Sequence, residues 1–335
     1  MRRDQPATIA ALPSFSVVIE TENLSVTEIA GLEESLDSLA RQSPSPAAAN
    51  EVLIIESGDT PAAVLERIQE KCPWVKIVAI DSDIDYYDAK MEGARRATGE
   101  VVIYADSDCV YEPDWIRSLL APFTVYPDIQ VLGGETAIRG SGPYAIATAI
   151  SFFFDGHSHT PDLYSSATYF FNNVAFRRQF LLENPVAHDL PLYRGHCVLH
   201  THSLRNRGVE IWRQPRARAH HAPPHGLFNF LWRYLLIGRD NAVIRTLLPA
   251  AAATPAQRGR GSRLDKLRRR LRASLAAHPI GALWLPLALP IAATSLLLVW
   301  AGDRISRSRP DYLLATFRRL ASRTRSIAPA THGTQ

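Results

Sequence analysis

Residues 101–108 read Val101-Val102-Ile103-Tyr104-Ala105-Asp106-Ser107-Asp108, an apolar run that ends in two carboxylates one residue apart. A short apolar run bounded by turn residues reads as a buried strand. Carboxylates spaced this way at a strand's end can both approach one divalent cation. Hard cations such as Mg²⁺ and Mn²⁺ take oxygen ligands, and Mg²⁺ commonly binds one or two carboxylates together with a substrate's phosphates. The stretch therefore predicts a buried strand ending at a metal–diphosphate site. A D-x-D triplet alone is common in solvated loops, so its meaning rests on what flanks it.

Upstream, Phe15-Ser16-Val17-Val18-Ile19 predicts a first strand, residues 51–55 a second and residues 75–80 a third. Between them, Ile29, Leu32, Leu36 and Leu39 have helical spacing within 26–39. Residues 61–71 read as a helix with Thr60 as its N-cap, and residues 87–97 as a helix closed by Gly99. Strands alternating with helices predict an α/β fold, a mainly parallel sheet with helices on both faces. Such sheets bind ligands beyond the carboxyl ends of their strands. Glu22, Glu56 and Asp106 all fall just past predicted strand ends.

The chain has 335 residues, 46% of them hydrophobic, enough for a sizeable core. Its net charge of +4 hides an asymmetry: residues 1–135 hold 24 acidic and 10 basic side chains, residues 136–335 hold 9 and 27. A basic second half points to anionic ligands or an anionic membrane surface. No groove-reading motif or zinc-finger spacing is present, so nucleic acid is not an expected partner. Cys72, Cys109 and Cys197 are far apart, as suits a reducing compartment. Arg2 and Arg3 precede an apolar stretch, residues 8–12, too short for a signal peptide, which predicts that the first domain stays in the cytoplasm.

The last third changes character. Residues 258–272 carry eight basic side chains and one acid, and residues 279–302 follow with no charge over 24 positions. A helix needs about 20 apolar residues to cross a bilayer. Trp284 and Trp300 lie near the ends of this stretch, Pro286 and Pro290 permit a kinked or re-entrant path, and Arg304, Arg307 and Arg309 follow it. Both flanks are basic, which fits a segment that spans or one that dips in and returns. The expected organisation is a disordered 1–13, one α/β domain over 14–245, a basic juxtamembrane linker over 246–278, a transmembrane or re-entrant 279–302, and a basic tail over 303–335, disordered after Ile327. Residues 228–239 read as an amphipathic helix.

Several ordered elements resemble family 2 glycosyltransferases with the GT-A nucleotide-diphospho-sugar transferase fold, over roughly residues 14–245. Its carriers are Ser16-Val17-Val18-Ile19-Glu20-Thr21-Glu22-Asn23, the stretch Ala89-Lys90-Met91-Glu92-Gly93-Ala94-Arg95-Arg96-Ala97-Thr98-Gly99-Glu100, and Ala105-Asp106-Ser107-Asp108. Further on, Asn172-Asn173-Val174-Ala175-Phe176-Arg177-Arg178 is similar to the family's acceptor-side N-x-A-F-R-R element. Pro215-Arg216-Ala217-Arg218-Ala219-His220-His221 looks like its P-x-A-x-x-x-H segment.

The resemblance implies a metal-dependent, inverting transfer from a nucleotide-diphospho-sugar, a UDP-sugar, to a cell-surface polysaccharide or glycolipid, a glycan or lipid-linked acceptor; together with the apolar 279–302 segment it predicts the cytoplasmic face of the inner or plasma membrane. It places Thr21 and Glu22 at the nucleoside, Glu56 at the base, and Lys90 beside the ribose and diphosphate. It places Asp106 near ribose and metal, with Asp108 as the direct ligand of Mn²⁺ or Mg²⁺, and His221 completing the site. Glu22 and Glu56 also read as ordinary loop acids, and Lys90 as a solvated helix residue.

One element departs from the family's pattern. The catalytic base is ordinarily an Asp in a Glu-Asp pair about a dozen residues before the R-x-x-G turn. Counting back from Arg205-Asn206-Arg207-Gly208 reaches His196-Cys197. His196 then stands in as base, since an imidazole titrates near operating pH, with Asp189, His200 and His202 as alternatives. The other reading is a non-catalytic nucleotide-sugar-binding or assembly subunit. The spacing His196-x₃-His200-x-His202 also mimics a zinc site, without the Glu of an H-E-x-x-H motif.

Overall fold

The apolar runs form strands where the sequence predicts them, as β1 (Phe15–Glu20), β2 (Glu51–Glu56), β3 (Val75–Ala79) and β4 (Val101–Asp106). In this computed structural model we describe residues 11–21, 29–58, 60–248 and 281–327, with 268, 270–272 and 275. The expected nucleoside contact Glu22 lies outside the described residues, as do residues 1–10, most of the basic linker and everything after Ile327.

These four strands pair in parallel in the order β3-β2-β1-β4. Val17 and Ile19 point into one core layer, with α1 (Ile29–Ala40), α2 (Ala62–Lys71) and α4 (Trp115–Val125). Val18 points into the other, with α3 (Tyr86–Arg96), α6 (Arg178–Glu183) and α7 (His196–Asn206). Period-two alternation with both faces covered explains why the runs are apolar throughout. One N-cap differs from expectation. Thr60 does not cap α2; its amide donates instead to Glu56 Oε1 at 2.9 Å. Asp85 caps α3, accepting from the amides of Tyr87 and Asp88.

The second half of the sheet is mixed. The remaining strands are β5 (Cys109–Tyr111), β6 (Val131–Ile138), β7 (Tyr164–Ser165), β8 (Asn173–Arg177) and β9 (Ile211–His221). Strand β8 runs antiparallel between β4 and β6, β6 pairs in parallel with β9, and β5 and β7 run antiparallel to β9. The register of β9 shifts opposite Gly134 and Glu135, so that 215–217 bulge out, which accommodates Pro215 and its missing N–H. Asn173 pins this region: its Nδ2 donates to the carbonyls of Glu135 and Ala217, and its Oδ1 accepts from Trp115 Nε1 at 2.7 Å.

Beyond the sheet lies a layer made of α5 (Pro143–Ser151), α8 (Gly226–Leu247), α9 (Leu285–Ser308) and α10 (Tyr312–Ile327). The helix expected over 228–239 is part of α8 and is apolar on more than one side. Phe230 and Tyr234 pack with α5, whereas Leu236 packs with Leu313, Leu314 and Phe317 of α10. The uncharged stretch forms a 3₁₀ turn, Gly281–Trp284, and then α9, which continues unbroken through Pro290; Pro286 sits in its first turn, where no donor is required. Part of the expected basic tail is therefore helical.

Candidate functional site

Strand β4 delivers its two carboxylates to different neighbours. Asp106 is buried, and its Oδ1 lies 2.6 Å from Lys90 Nζ. The Tyr86 hydroxyl reaches both oxygens of Asp106, at 3.1 and 3.0 Å. Lys90 is 0% exposed, also donates to the Ala105 carbonyl and stands over the Tyr86 ring, so it is not the solvated helix residue its sequence allows. The Arg194 guanidinium covers the same ring at 4.2 Å. Burial first, then the Asp106 charge, holds the Tyr86 hydroxyl well above the usual phenol range, so it donates as a neutral group. Asp106 is thus engaged by protein donors. Glu20, its register partner at the end of β1, is fully buried beside it. Sequence reasoning missed Glu20; the available signal was a charge closing an otherwise apolar strand.

Asp108 turns the other way. Its Oδ2 lies 3.3 Å from Nε2 of His221, at the end of β9, and both side chains are buried. The other ring nitrogen of His221, Nδ1, is 2.5 Å from the Ala222 carbonyl oxygen. A carbonyl only accepts, so Nδ1 carries the proton in the neutral ring. That leaves the Nε2 lone pair facing a carboxylate oxygen, an arrangement that needs a proton or a cation between them. The carboxylate suits a hard cation such as Mn²⁺, and the imidazole adds one nitrogen ligand. Cys109 completes a group of three ligand atoms within 4.8 Å of one another. Burial, then the charges of Asp108 and Asp106, pushes its thiol well up, so it stays protonated.

Asp108 and His221 open into a cavity of about 270 Å³ between the start of α1, the end of β9 and helices α8 and α10. Arg233 brings positive charge to its wall, Arg139 there is paired with Glu34 of α1, and Phe152, Tyr193, Trp232 and Phe317 bring apolar surface. Phe152 and Phe154 also pack against the His221 ring, at 6.1 and 5.1 Å between centroids. This aromatic segment was not singled out from sequence, because its run resembles ordinary core.

Thr21 and Glu56 meet at the ends of β1 and β2. The Thr21 hydroxyl is 3.2 Å from Glu56 Oε1, and Glu56 Oε2 accepts from the Gly58 amide at 2.7 Å. With the Thr60 amide, two donors of its own exit loop and the Thr21 hydroxyl hold this carboxylate, which is buried rather than an exposed loop acid.

The two expected bases are not on the cavity wall. Asp189 is 88% exposed, pairs with His188 at 2.6 Å and sits at φ 55°. His196 opens α7 but is 1% exposed and stacks on Tyr87 at 4.1 Å. Its burial lowers the ring to about 4, and Nδ1 has no partner. Burial also lowers His200 to about 4; the Tyr169 hydroxyl lies 2.6 Å from its Nδ1, and its Nε2 donates to the Asn184 carbonyl at 2.8 Å. His202 faces Asn206 instead. The three histidines of α7 therefore form no zinc site.

Comparison with known proteins agrees with this geometry. The family described as Glycosyl transferase family 2 matches residues 16–184. N-acetylgalactosaminyltransferase 6 of Drosophila melanogaster is 30% identical over 123 residues, 35% of this chain and 18% of its own length. Polypeptide N-acetylgalactosaminyltransferase 11 of Xenopus tropicalis is 37% identical over 60 residues, 16% of this chain and 10% of its own. The chain thus spans less than a fifth of these curated relatives. Among solved structures, the mannosyltransferase PcManGT from Pyrobaculum calidifontis, in complex with GDP-Man and Mn²⁺, superposes with a TM-score of 0.51 at 17% identity, over 94% of this chain and 89% of its own. GalNAc-T7 with UDP, GalNAc and Mn²⁺ gives a TM-score of 0.50 at 18% identity, over 64% of this chain and 44% of its own. The shared fold is GT-A.

Proposed function

The chain belongs to glycosyltransferase family 2, and from that premise we propose that it moves a sugar from a UDP-sugar to a lipid-linked acceptor at the cytoplasmic face of a membrane, with inversion at the anomeric carbon. The observation that carries this reading is the His221 lone pair facing Asp108 at the mouth of a cavity that Arg233 also lines. A divalent cation held by Asp108 and His221 would offset the charge that develops on the departing diphosphate. Lys90 and Tyr86 fix Asp106 so that β4 ends in one geometry, and a preorganised site has no reorganisation cost during reaction. Arg233 supplies positive charge to the phosphates, whereas Arg139 is ion-paired with Glu34 of α1.

The acceptor's chemistry follows from the base. A hydroxyl must lose its proton as it attacks, yet His196 is enclosed and weakly basic, and Asp189 points to solvent. An acceptor that arrives ionised, such as a lipid phosphate, needs no base. Exposed Leu227 and Phe228 open α8, whose next turns line the cavity, and they suit an acyl or prenyl chain.

Helix α9 supports the membrane assignment in a particular form. The helical run Gly281–Ser308 is long and apolar enough to cross a bilayer, and 17% of its most apolar window is buried. Its buried residues, Ala288, Ala292, Ser295, Gly302 and Ser306, make a small-residue stripe along one face. Ala288 and Ala292 pack on α5, and Gly302 meets the backbone of α8. Leu287, Leu289, Leu296, Leu297 and Trp300 remain exposed. A helix docked along its length on the enzyme body lies in the interface with its leucines in lipid, rather than spanning.

Titration calorimetry with UDP and Mn²⁺ tests the donor site. Binding that requires Mn²⁺ is expected, and metal-independent binding would sink this reading. Turnover assays comparing a prenyl phosphate with the corresponding prenol test the acceptor, with transfer expected to the phosphate alone. The second reading, a nucleotide-sugar-binding subunit without turnover, is favoured by the enclosed His196. It predicts Mn²⁺-dependent UDP binding with no transfer to either acceptor.

A further inference from the structure

Three more ligand-type side chains converge beside β9, away from Asp108 and His221. Glu112 follows β5, His220 is the penultimate residue of β9, and His157 comes from the segment between α5 and β7. One ligand atom from each lies within 4.8 Å of the other two. We propose that Glu112, His157 and His220 form a second metal site, for Zn²⁺, that ties the 152–157 segment to the edge of the sheet.

The pairing register puts the site together. His220 lies opposite Val110, and the Glu112 amide donates to the Arg218 carbonyl, so Glu112 is the diagonal neighbour of His220 on one face. Successive strand residues point to opposite faces, which separates His220 from His221 and this site from the donor site. His220 Nε2 stands 3.4 Å from Glu112 Oε1. Two ligands bound at about 2.0–2.1 Å to a tetrahedral ion stand about 3.4 Å apart.

The tautomer of His157 is set in the way ligand histidines are set. Its Nε2 lies 3.1 Å from the Ala219 carbonyl oxygen, which only accepts, so Nε2 carries the proton and the Nδ1 lone pair is available. Metal-bound histidines characteristically donate their other N–H to such a backbone carbonyl. Arg218, whose charge would oppose a cation here, directs its guanidinium to the carbonyls of Pro215 and Ser158. Two imidazoles and a carboxylate favour Zn²⁺ over Mg²⁺ or Mn²⁺ and leave a fourth position for water. All three residues are half-buried, so an ion can reach them.

The experiment uses the full chain, stripped with a chelator and then held in excess Mn²⁺ to fill the donor site. Zn²⁺ is titrated in competition with a chromophoric chelator, and Co²⁺ is added separately to read its visible spectrum. One tight Zn²⁺ equivalent and a tetrahedral Co²⁺ spectrum are expected. His157→Ala, His220→Ala and Glu112→Gln should each weaken Zn²⁺ by more than the roughly 10–100-fold that losing an outer-shell partner costs. Glu112→Gln preserves side-chain volume, and Mn²⁺-dependent UDP binding, measured in the same samples, reports that each variant is folded. Asp108→Ala should leave the Zn²⁺ equivalent in place. No tight equivalent in the parent protein, unchanged affinity in Glu112→Gln and His157→Ala, or loss of the equivalent in Asp108→Ala would each overturn the site. None of these results bears on whether UDP binds with Mn²⁺ elsewhere.

Discussion

The half of the molecule built from β1 to β4 and the layer built from α5, α8, α9 and α10 solve opposite problems. The first buries charge. Lys90, Asp106, Glu56 and Glu20 are all withdrawn from water, and neighbours matched to them hold Lys90, Asp106 and Glu56. The second leaves apolar surface outside, with Leu283, Leu297 and Trp300 among its most exposed side chains, and relies on close backbone approach inside. Buried charge is stable only when its partner is fixed, so the first region is rigid where ligand phosphates would bind. Exposed leucines are unfavourable in water, so the second region is suited to a less polar surrounding.

The sharpest way to break this contrast is at Asp108. Replacing it with Ala should reduce Mn²⁺-dependent UDP binding below detection by calorimetry while leaving the fold intact, because its partner His221 keeps its hydrogen bond to the Ala222 carbonyl. Wild-type behaviour of that variant would remove the donor site from this face.

Next comes Lys90. Lys90→Met leaves the buried Asp106 carboxylate with the Tyr86 hydroxyl as its remaining side-chain donor, and should cost about 3–5 kcal/mol in urea unfolding. Adding Asp106→Asn should recover much of that loss. If the double variant is no better than the single, the pair is not coupled as its geometry states.

Acid should expose the same logic. His196 and His200 are lowered to about 4, so the unfolded chain, with histidines near 6.5, binds more protons between those values. Stability is therefore complete above about pH 6.5 and falls as pH drops toward 4, by roughly 3 kcal/mol for each histidine. His196→Phe should flatten part of that slope in pH-dependent melts; an unchanged slope would show that the ring is not held neutral.

The smallest effect is expected in the helical layer. A Cβ on Gly238 would meet the Val299 carbonyl of α9, so Gly238→Ala should push the helices apart and cost about 1–3 kcal/mol. Thermal melts should show the loss, with UDP binding nearly unchanged. A large loss of UDP binding instead would mean that the two regions act as one.

Some of this was readable from the chain because it is local. An apolar run of five residues and helical spacing at Leu32, Leu36 and Leu39 report their surroundings directly, and β1 to β4 appear where those patterns stand. The caps were less legible, since Thr60 and Asp85 are equally good capping types and the exit loop after β2 claimed the Thr60 amide for Glu56. The mixed half of the sheet was not legible, because β6 carries Gly133 and Gly134 and β9 carries Pro215, residues that argue against strands. A register shift and the Asn173 side chain resolve that conflict, and neither leaves a local trace.

Sequence alone was enough to place Asp106 and Asp108 at a strand's carboxyl end and to carry the resemblance to a nucleotide-sugar transferase, since both depend on neighbours within a few positions. Residue spacing did not separate the two carboxylates; the resemblance assigned Asp108 as the direct metal ligand, and the sequence held no physical reason for that choice. Folding sorts them: Asp106 goes to Lys90 on α3, Asp108 to His221 at the far end of the sheet. Folding also encloses His196 against Tyr87, away from the cavity. Those outcomes depend on pairing between strands distant along the chain, and burial energy, which no short window of residues contains, selects among them.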